Sequence, residues 1–187
     1  IEERGGKIQY VLSSATIANP KEFGELLTGR KIDVVVGQGR RSSLGILFVY
    51  SYEPPFKAIA RMLMELVSNH IKTLAFFNTR SSTELAYNVI KRSRRPSIYE
   101  KISIHRAGIP SNVRIAIEQK FKKDILLGIL STPTLELGID IGYIDLVIQI
   151  GSPKSVAKGL QRVGRAGHYL HEISKGRFIV FDRDDLV

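Results

Sequence analysis

The sequence contains no cysteine among its 187 residues. This absence excludes disulfide bonds and thiolate metal sites, and nothing in the composition argues for secretion. The four histidines, at positions 70, 105, 168 and 171, do not stand with carboxylates at a zinc-binding spacing. We therefore predict no metal site in the chain.

A long apolar run is also missing. No stretch approaches the ~18 consecutive apolar residues of a membrane-spanning helix. The opening IEERGGKIQY does not have the pattern of a signal peptide. We expect a cytoplasmic protein with no membrane partner.

Acidic residues are few relative to basic ones. Lys and Arg number 28 against 18 Asp and Glu, which gives a formal net charge of +10. Such an excess favours a polyanionic partner through counterion release. Nucleic acid is the expected partner, and a membrane surface is a distant second because no amphipathic lipid-binding stretch is present.

Apolar strands and helices alternate along the chain. Continuous apolar runs predict strands near residues 7–16, 31–37, 45–51, 73–78, 101–106, 125–132, 144–151 and 176–182. Helices are predicted near residues 19–29, 54–71, 82–93, 110–123 and 155–164. This alternation predicts a three-layer α/β fold with a mostly parallel sheet and helices on both faces.

Hydroxyl residues, glycines and arginines follow the predicted strands. In an open parallel sheet, ligands meet the loops at the carboxyl ends of the strands. Such residue types suit phosphate, although hydroxyls are also ordinary turn residues. The loops concerned are Ser14-Ala15-Thr16, Asn78-Thr79-Arg80, His105-Arg106-Ala107-Gly108, Ser131-Thr132-Pro133-Thr134 and Gly151-Ser152.

The octet QRVGRAGH, residues 161–168, holds two arginines and two glycines but no acidic residue. On a helix, Arg162 and Arg165 would share one face, and Gly167 would cap its end. The planar guanidinium group suits phosphate oxygens. The octet alone is consistent with a phosphate-binding element or with a solvated basic helix end.

Four stretches occur in a fixed order: SSAT at 13–16, FFNTR at 76–80, STPTLELGIDIG at 131–142, and the octet. This order resembles motifs III, IV, V and VI of superfamily 2 helicases. The segment DLVIQIGSPKSVAKGLQRVGRAGH is most similar to the large helicase-related (Lhr-like) branch. The resemblance covers essentially the whole chain. It implies a RecA-like helicase C-terminal domain with a P-loop NTPase-type fold.

No G-x-x-x-x-G-K-[ST] phosphate loop and no acidic magnesium box occur in the sequence. In these helicases both lie on the first RecA-like domain, before the SAT motif. The resemblance therefore implies that residues 1–37 are the C-terminal remnant of the first motor domain, 38–43 a linker and 44–187 the second motor domain. It also implies that the missing first domain, against which this fragment would pack, holds most of the ATP and Mg. The fragment alone is expected to be inactive.

The resemblance gives the octet nucleotide-facing roles. Arg165 matches the arginine finger that stabilises charge on the transferring γ-phosphoryl group. Arg162 is expected to pair with acidic groups of the first motor domain, and Gln161 to hydrogen-bond near the γ-phosphate. His168 stands where many relatives carry a second finger arginine, and a neutral imidazole lacks a permanent charge. Either Arg165 acts largely alone or another residue compensates.

The other motifs imply further roles. Gly138 and Asp140 are expected near the ribose and the domain interface, although Asp140 could instead cap its loop. Ser14, Ala15 and Thr16 are expected to couple the nucleotide state to the cleft between the domains. Related helicases more often carry His or Gly at the position of Arg106, which leaves its contact open. The implied nucleic-acid contacts are Thr79, Arg80, His105, Arg106, Gly108, Ser131 and Thr132.

The resemblance implies part of an ATP-dependent enzyme that moves along and unwinds DNA or RNA-containing duplexes. Its expected partner is single-stranded or duplex DNA, or an RNA–DNA hybrid, and its expected role is DNA repair or the processing of RNA–DNA hybrids. One alternative is a double-strand translocase that separates no strands. Another is a nucleic-acid-binding α/β module without ATPase chemistry. In each case none of the candidate contacts reads base edges, so binding is expected to be insensitive to sequence.

Overall fold

The computed structural model describes residues 8–14, 17–36, 43–135, 141–167, 173–181 and 185. The chain divides into two compact units, Ile1–Arg41 and Ser42–Val187. None of the helices in the described ranges is both long and apolar enough to cross a membrane.

The first unit contains helix α1, Pro20–Thr28. Pro20 occupies the first helical position, and Gly29 ends the helix with φ 67° while its N–H donates to the Glu25 carbonyl at 2.8 Å. Residues 8–14 and 31–36 form no strand, so the strands predicted at 7–16 and 31–37 are corrected. The reason is that strands need partners, and Val11 and Val35, 83% and 94% exposed, pack against no sheet in this unit.

The second unit contains one sheet of six strands in the order β1-β6-β5-β2-β4-β3, with every neighbouring pair parallel. This arrangement confirms the predicted parallel α/β class. Inner strands of such a sheet are covered on both faces, and three of them are buried at every position, whereas the edge strand Leu44–Tyr50 is largely exposed. The strands are β1 Leu44–Tyr50, β2 Thr73–Phe76, β3 Ile102–His105, β4 Gly128–Ser131, β5 Leu146–Ile150 and β6 Ser174–Val180.

Within the described ranges, five helices connect these strands. Four of them were predicted from apolar periodicity, and the third of the five, a single turn after the KRSRR run, was not. A 3-10 turn at Pro133–Leu135 follows β4. The helices are α2 Pro55–Ser68, α3 Arg80–Lys91, α4 Pro96–Tyr99, α5 Ser111–Lys122 and α6 Val156–Val163.

Alternating side chains of the strands enter two separate apolar clusters. Ala75 of β2 and the adjoining Phe77 pack with α2 and α3 residues on one face of the sheet. Leu74 and Phe76 pack on the other face with Phe121 of α5. Because successive residues of a strand point to opposite faces, the two clusters show that helices cover both sides. The three-layer prediction is confirmed.

Candidate functional site

The ends of four neighbouring strands lie in one row at the carboxyl edge of the sheet. The register pairs Phe76 with Ser131 and with Gln149, and pairs Ser131 with His105. Backbone hydrogen bonds continue past the row, from Phe77 N–H to the Ser131 carbonyl at 2.8 Å. The loops that follow β2, β3, β4 and β5 therefore meet at one edge, where parallel sheets bind ligands.

Two guanidinium groups converge at Gly108 on this edge. Gly108 has φ 92°, and a Cβ placed on it would lie 3.2 Å from Arg106 Nη1 and 3.7 Å from Arg80 Nη1. Arg80 is exposed at the first position of α3, whereas Arg106 is held by Glu84 at 2.6 Å. Thr79 caps α3 by accepting a hydrogen bond from the Ser82 N–H at 3.1 Å. The structure thus brings together four of the predicted strand contacts.

Ser131 and Thr132, two predicted nucleic-acid contacts, are both buried in the domain. Ser131 is fully buried and its hydroxyl donates to the Thr132 carbonyl at 2.6 Å. The Thr132 N–H donates to the His105 carbonyl at 3.3 Å, so this amide already has an acceptor. Thr132 keeps 6% of its surface exposed. The Ser131 hydroxyl lies inside the domain, and the predicted contact of Ser131 with nucleic acid stays a prediction.

His105 is placed inside the domain as well. Its side chain is 0% exposed, with Nδ1 3.1 Å from Thr134 Oγ1 and Nε2 2.8 Å from Glu118 Oε1. The imidazole is thus enclosed and partnered in this structure, and the predicted contact of His105 with nucleic acid stays a prediction. The imidazole joins the end of β3 to α5 and to the 3-10 turn after β4. A strand-terminal residue can face the solvent or the core, and the sequence did not distinguish the two.

Arg162 of the octet is buried. Helix α6 ends at Val163, so Arg162 and Arg165 do not share one helix face, and the residue at the C-cap is Gly164 instead of Gly167. Arg162 is 2% exposed; its Nη1 donates to Gln149 Oε1 at 2.6 Å, and its guanidinium carbon lies 5.3 Å from the centre of the Phe76 ring. The side chain fastens α6 to β5 and β2.

Arg165 lies in the turn that follows α6 and is partly exposed, as is Gln161. The turn passes close to the start of β6, where the Ser174 hydroxyl donates to the Ala166 carbonyl at 2.8 Å. Gly167 has φ 70°, and a Cβ there would meet the backbone of residues 173 and 174 at 3.2 Å. Glycine is required at this point, which explains one of the two glycines beside the arginines.

Three polar residues of the edge have contacts that the sequence did not predict. Asn78 Nδ2 donates to the Ser152 carbonyl at 2.8 Å, and the Asp185 carboxylate accepts from the Ser152 N–H at 3.0 Å and the Phe181 N–H at 2.9 Å. Gln149, fully buried in β5, is the partner of Arg162. A polar residue within the apolar run IDLVIQI was the available signal for Gln149.

Five predicted site residues lie outside the described residues: Ala15, Thr16, Gly138, Asp140 and His168. Ser14, in the first unit, is exposed. Within the described ranges no three His, Asp or Glu side chains are grouped so that they could hold a metal ion.

The fold and this edge define a parallel α/β domain that presents arginines and hydroxyls at the carboxyl ends of its strands. The family model described as "Helicase conserved C-terminal domain" matches residues 56–169. The chain belongs to this family. The matched segment runs from α2 through the octet and contains every loop of the edge described above.

Curated relatives place the chain in the Lhr-like branch of superfamily 2, as the motifs predicted. The ATP-dependent helicase Lhr-Core of Saccharolobus solfataricus is 49% identical over 186 residues, covering 93% of this chain and 21% of the relative. The ATP-dependent helicase Lhr-Core protein 2 of Thermococcus barophilus is 52% identical over 132 residues, covering 70% and 15%. The chain therefore spans about a fifth of the length of such relatives.

A solved structure gives the same fold. The Mycobacterium smegmatis helicase Lhr, bound to ssDNA and AMP-PNP, superposes with a TM-score of 0.78 at 31% identity, covering 92% of this chain and 24% of that one. This similarity confirms the RecA-like helicase C-terminal fold that the resemblance implied.

Proposed function

We propose that residues 44–187 are the second motor domain of an ATP-dependent helicase or translocase, that 38–43 are a linker and that 1–37 belong to the first motor domain. The main observation behind the proposal is the ordered turn at the C-terminal end of α6. There, a buried arginine and a required glycine hold the partly exposed Arg165 on a fixed turn. The Lhr relative bound to ssDNA and AMP-PNP supports ATP and nucleic acid as ligands.

Arg165 acts as the arginine finger in this proposal. A finger stabilises charge that develops on the γ-phosphoryl group in the transition state, and it contributes roughly 10³–10⁵-fold to the rate. Its effect depends on a fixed position, because a donor that must first be oriented loses much of its advantage. The turn supplies that position, with the Arg165 N–H donating to the Arg162 carbonyl at 3.0 Å. Gln161, one helical turn earlier, would contact the same nucleotide.

Arg162 acts indirectly in this proposal, without contacting the nucleotide. Its guanidinium lies between β5 and β2, so it supports the turn that carries Arg165. This differs from the role expected from the motif alone, in which Arg162 pairs with acids of the first motor domain.

The nucleic-acid strand would cross the carboxyl edge beside Arg80. Arg80 is exposed and Gly108 leaves room for the strand backbone to approach it. Arg106 contributes less charge because Glu84 is bound to it. Thr132, with 6% of its surface exposed, would contribute a contact at the edge, and Thr79 orders the start of α3 on which Arg80 stands. Contacts of this type reach phosphates and sugars, so they hold a strand without selecting its sequence.

ATP with Mg would be held mainly by the first motor domain. The magnesium ion would neutralise charge on the phosphates. This chain's own residues supply the finger and the strand contacts, and the 187-residue chain by itself is expected to show no ATPase activity.

The test is substitution of Arg165 in the intact protein. Arg165→Ala should lower kcat for strand-stimulated ATP hydrolysis by at least roughly 10²-fold, with strand affinity and KM for ATP nearly unchanged. Arg165→Lys should be almost as damaging, because an ammonium group lacks the planar fork. Lys158→Ala, on an exposed position of α6, is the matched control and should leave kcat unchanged. If Arg165→Ala keeps kcat and loses strand affinity, Arg165 belongs to the strand groove and the finger assignment is wrong.

A further inference from the structure

A second basic surface lies at the far end of α3 from Arg80. The run KRSRR, residues 91–95, holds four cations within five residues, and all four are exposed. Helix α3 has 12 residues, so its two ends are separated by about 18 Å at 1.5 Å per residue. We define the α3-end surface as these four cations and two from α2: Lys91, Arg92, Arg94, Arg95, Lys57 and Arg61.

The four cations of the run are not neutralised by neighbouring carboxylates. Within the described part of the chain, none of the four forms an ion pair. Other cations of the domain do have such partners, as Lys72 does with Asp124 at 2.6 Å. Like charges placed this closely repel each other, so the arrangement raises the free energy of the isolated domain.

The surface is concave beside Arg92. A groove of about 380 Å³ between α2 and α3 is lined by Lys57, Arg61 and Arg92, together with apolar atoms of both helices. Glu53 also lines it and binds Arg61 at 2.8 Å, which leaves an excess of positive charge in the groove.

Local structure accounts for only part of this charge. Lys91 and Arg92 stand at the C-terminus of α3, where cations stabilise the helix dipole. Arg94 has φ 57°, a left-handed conformation that glycine adopts without strain. Arg95 directly precedes the first residue of α4, at the helix end where the dipole disfavours a cation. The side chains of Arg94 and Arg95 therefore meet no requirement of the local backbone.

We propose that the α3-end surface binds the phosphate backbone of duplex nucleic acid, an inference that rests on the proposed function in taking nucleic acid as the polyanion. A duplex presents one negative charge per about 1.7 Å of its axis, which matches a dense group of unneutralised cations. A single strand carries its charges about 3.4 Å apart, half as densely as a duplex does along its axis. The duplex would thus be held about 18 Å along α3 from the single-strand contacts at Arg80.

The experiment measures binding of the intact protein to a labelled blunt duplex and to a labelled single strand, by fluorescence anisotropy over a series of salt concentrations. The triple variant Arg92→Gln, Arg94→Gln, Arg95→Gln should weaken duplex binding at least roughly tenfold and make the slope of log K against log salt shallower by about 2 to 3. Single-strand affinity should change less than about twofold. An equal loss for the single strand would overturn the proposal.

A matched control removes the same charge elsewhere. Lys120→Gln, Lys123→Gln, Lys175→Gln alters three exposed cations away from the surface and should change duplex affinity less than about twofold. If it weakens duplex binding as much as the triple variant does, net charge alone explains the effect and the proposal fails. Arg80→Gln should weaken single-strand binding instead, so a failure of the strand contacts is distinguishable from a failure of the α3-end surface.

Arg94→Gly separates binding from folding. Glycine relieves the left-handed backbone, so the urea midpoint should stay equal or rise. Loss of the guanidinium should nevertheless lower duplex affinity. A structural role for Arg94 requires the reverse pattern, in which stability falls and duplex affinity is unchanged, and that result would contradict the proposal.

Discussion

Replacing Arg162 with methionine tests whether this arginine supports the domain interior. The change keeps a side chain of similar length but leaves the buried Gln149 Oε1 without the donor now at 2.6 Å. An unsatisfied buried acceptor costs about 1–3 kcal/mol. Loss of the guanidinium over Phe76 costs up to about 2 kcal/mol more when the site is desolvated. Methionine needs no desolvation of a charge, which offsets part of this loss, so we expect a net destabilisation of about 2–3 kcal/mol.

Urea unfolding of residues 42–187, followed by circular dichroism, measures this change. With a slope near 2 kcal/mol per molar urea, the midpoint should fall by about 1–1.5 M. Adding Gln149→Leu to Arg162→Met should recover about 1–2 kcal/mol, because the orphaned amide is removed as well. Lys158→Met, on an exposed position of the same helix, should stay within about 0.5 kcal/mol of the parent.

One result would refute the reasoning. If Arg162→Met leaves the urea midpoint unchanged but raises KM for ATP in the intact protein, the guanidinium leaves the interior and acts in the nucleotide cleft. The role implied by the motif alone would then be correct, and the Gln149 contact would be incidental.

Three other changes test separate features. Gly167→Ala should destabilise residues 42–187 by about 2 kcal/mol in urea unfolding, because φ is 70° and the new Cβ meets backbone at 3.2 Å; an unchanged midpoint would contradict the close approach. Burial, with Tyr99 adding to it, raises the pKa of Tyr87 above 10.0. Folding therefore favours the neutral phenol, and the stability that this gives the domain is present below pH 10 and lost as pH rises through the folded pKa. The Tyr87→Phe variant cannot ionise there, so it should lose less stability between about pH 9 and 11 than the parent does. Thr132→Ala in the intact protein should weaken binding of all single strands alike, as measured by anisotropy, and a sequence-dependent loss would oppose the backbone-contact assignment.

The six strands of the second unit could be predicted because each is a continuous apolar run between turn residues. The strands β2, β4 and β5 are buried at every position, so local pattern and final structure agree there. The edge strand β1 is largely exposed, and its apolar run still predicted a strand. The strands predicted in the first unit failed for the opposite reason. Residues 8–14 and 31–36 have strand-like composition, but a strand exists only where another strand completes its hydrogen bonds.

The site was harder to predict than the sheet. Local sequence shows which residue types stand at a strand end, but it does not show which way a side chain turns. His105 and Arg162 both look like ligand contacts in a motif, and both are buried against partners more than ten residues away in the chain. The structure adds what the sequence could not give, the hydrogen-bond partner of each side chain: Glu118 for the His105 imidazole and Gln149 for the Arg162 guanidinium.

The proposed nucleotide contact at Arg165 and the proposed strand contact at Arg80 are both linked by hydrogen bonds to one short segment, the end of β5 and the loop after it. Gln149 receives Arg162 and donates its own amide to the carbonyl of Gly151 at 2.9 Å. Asn78, beside Arg80, donates to the carbonyl of Ser152, the next residue in that loop. Packed interiors transmit small displacements because they have little free volume to absorb them. The turn that carries Arg165 and the loop that carries Arg80 should therefore move as one rigid body, so that closing a nucleotide cleft would shift the strand contacts by the same motion.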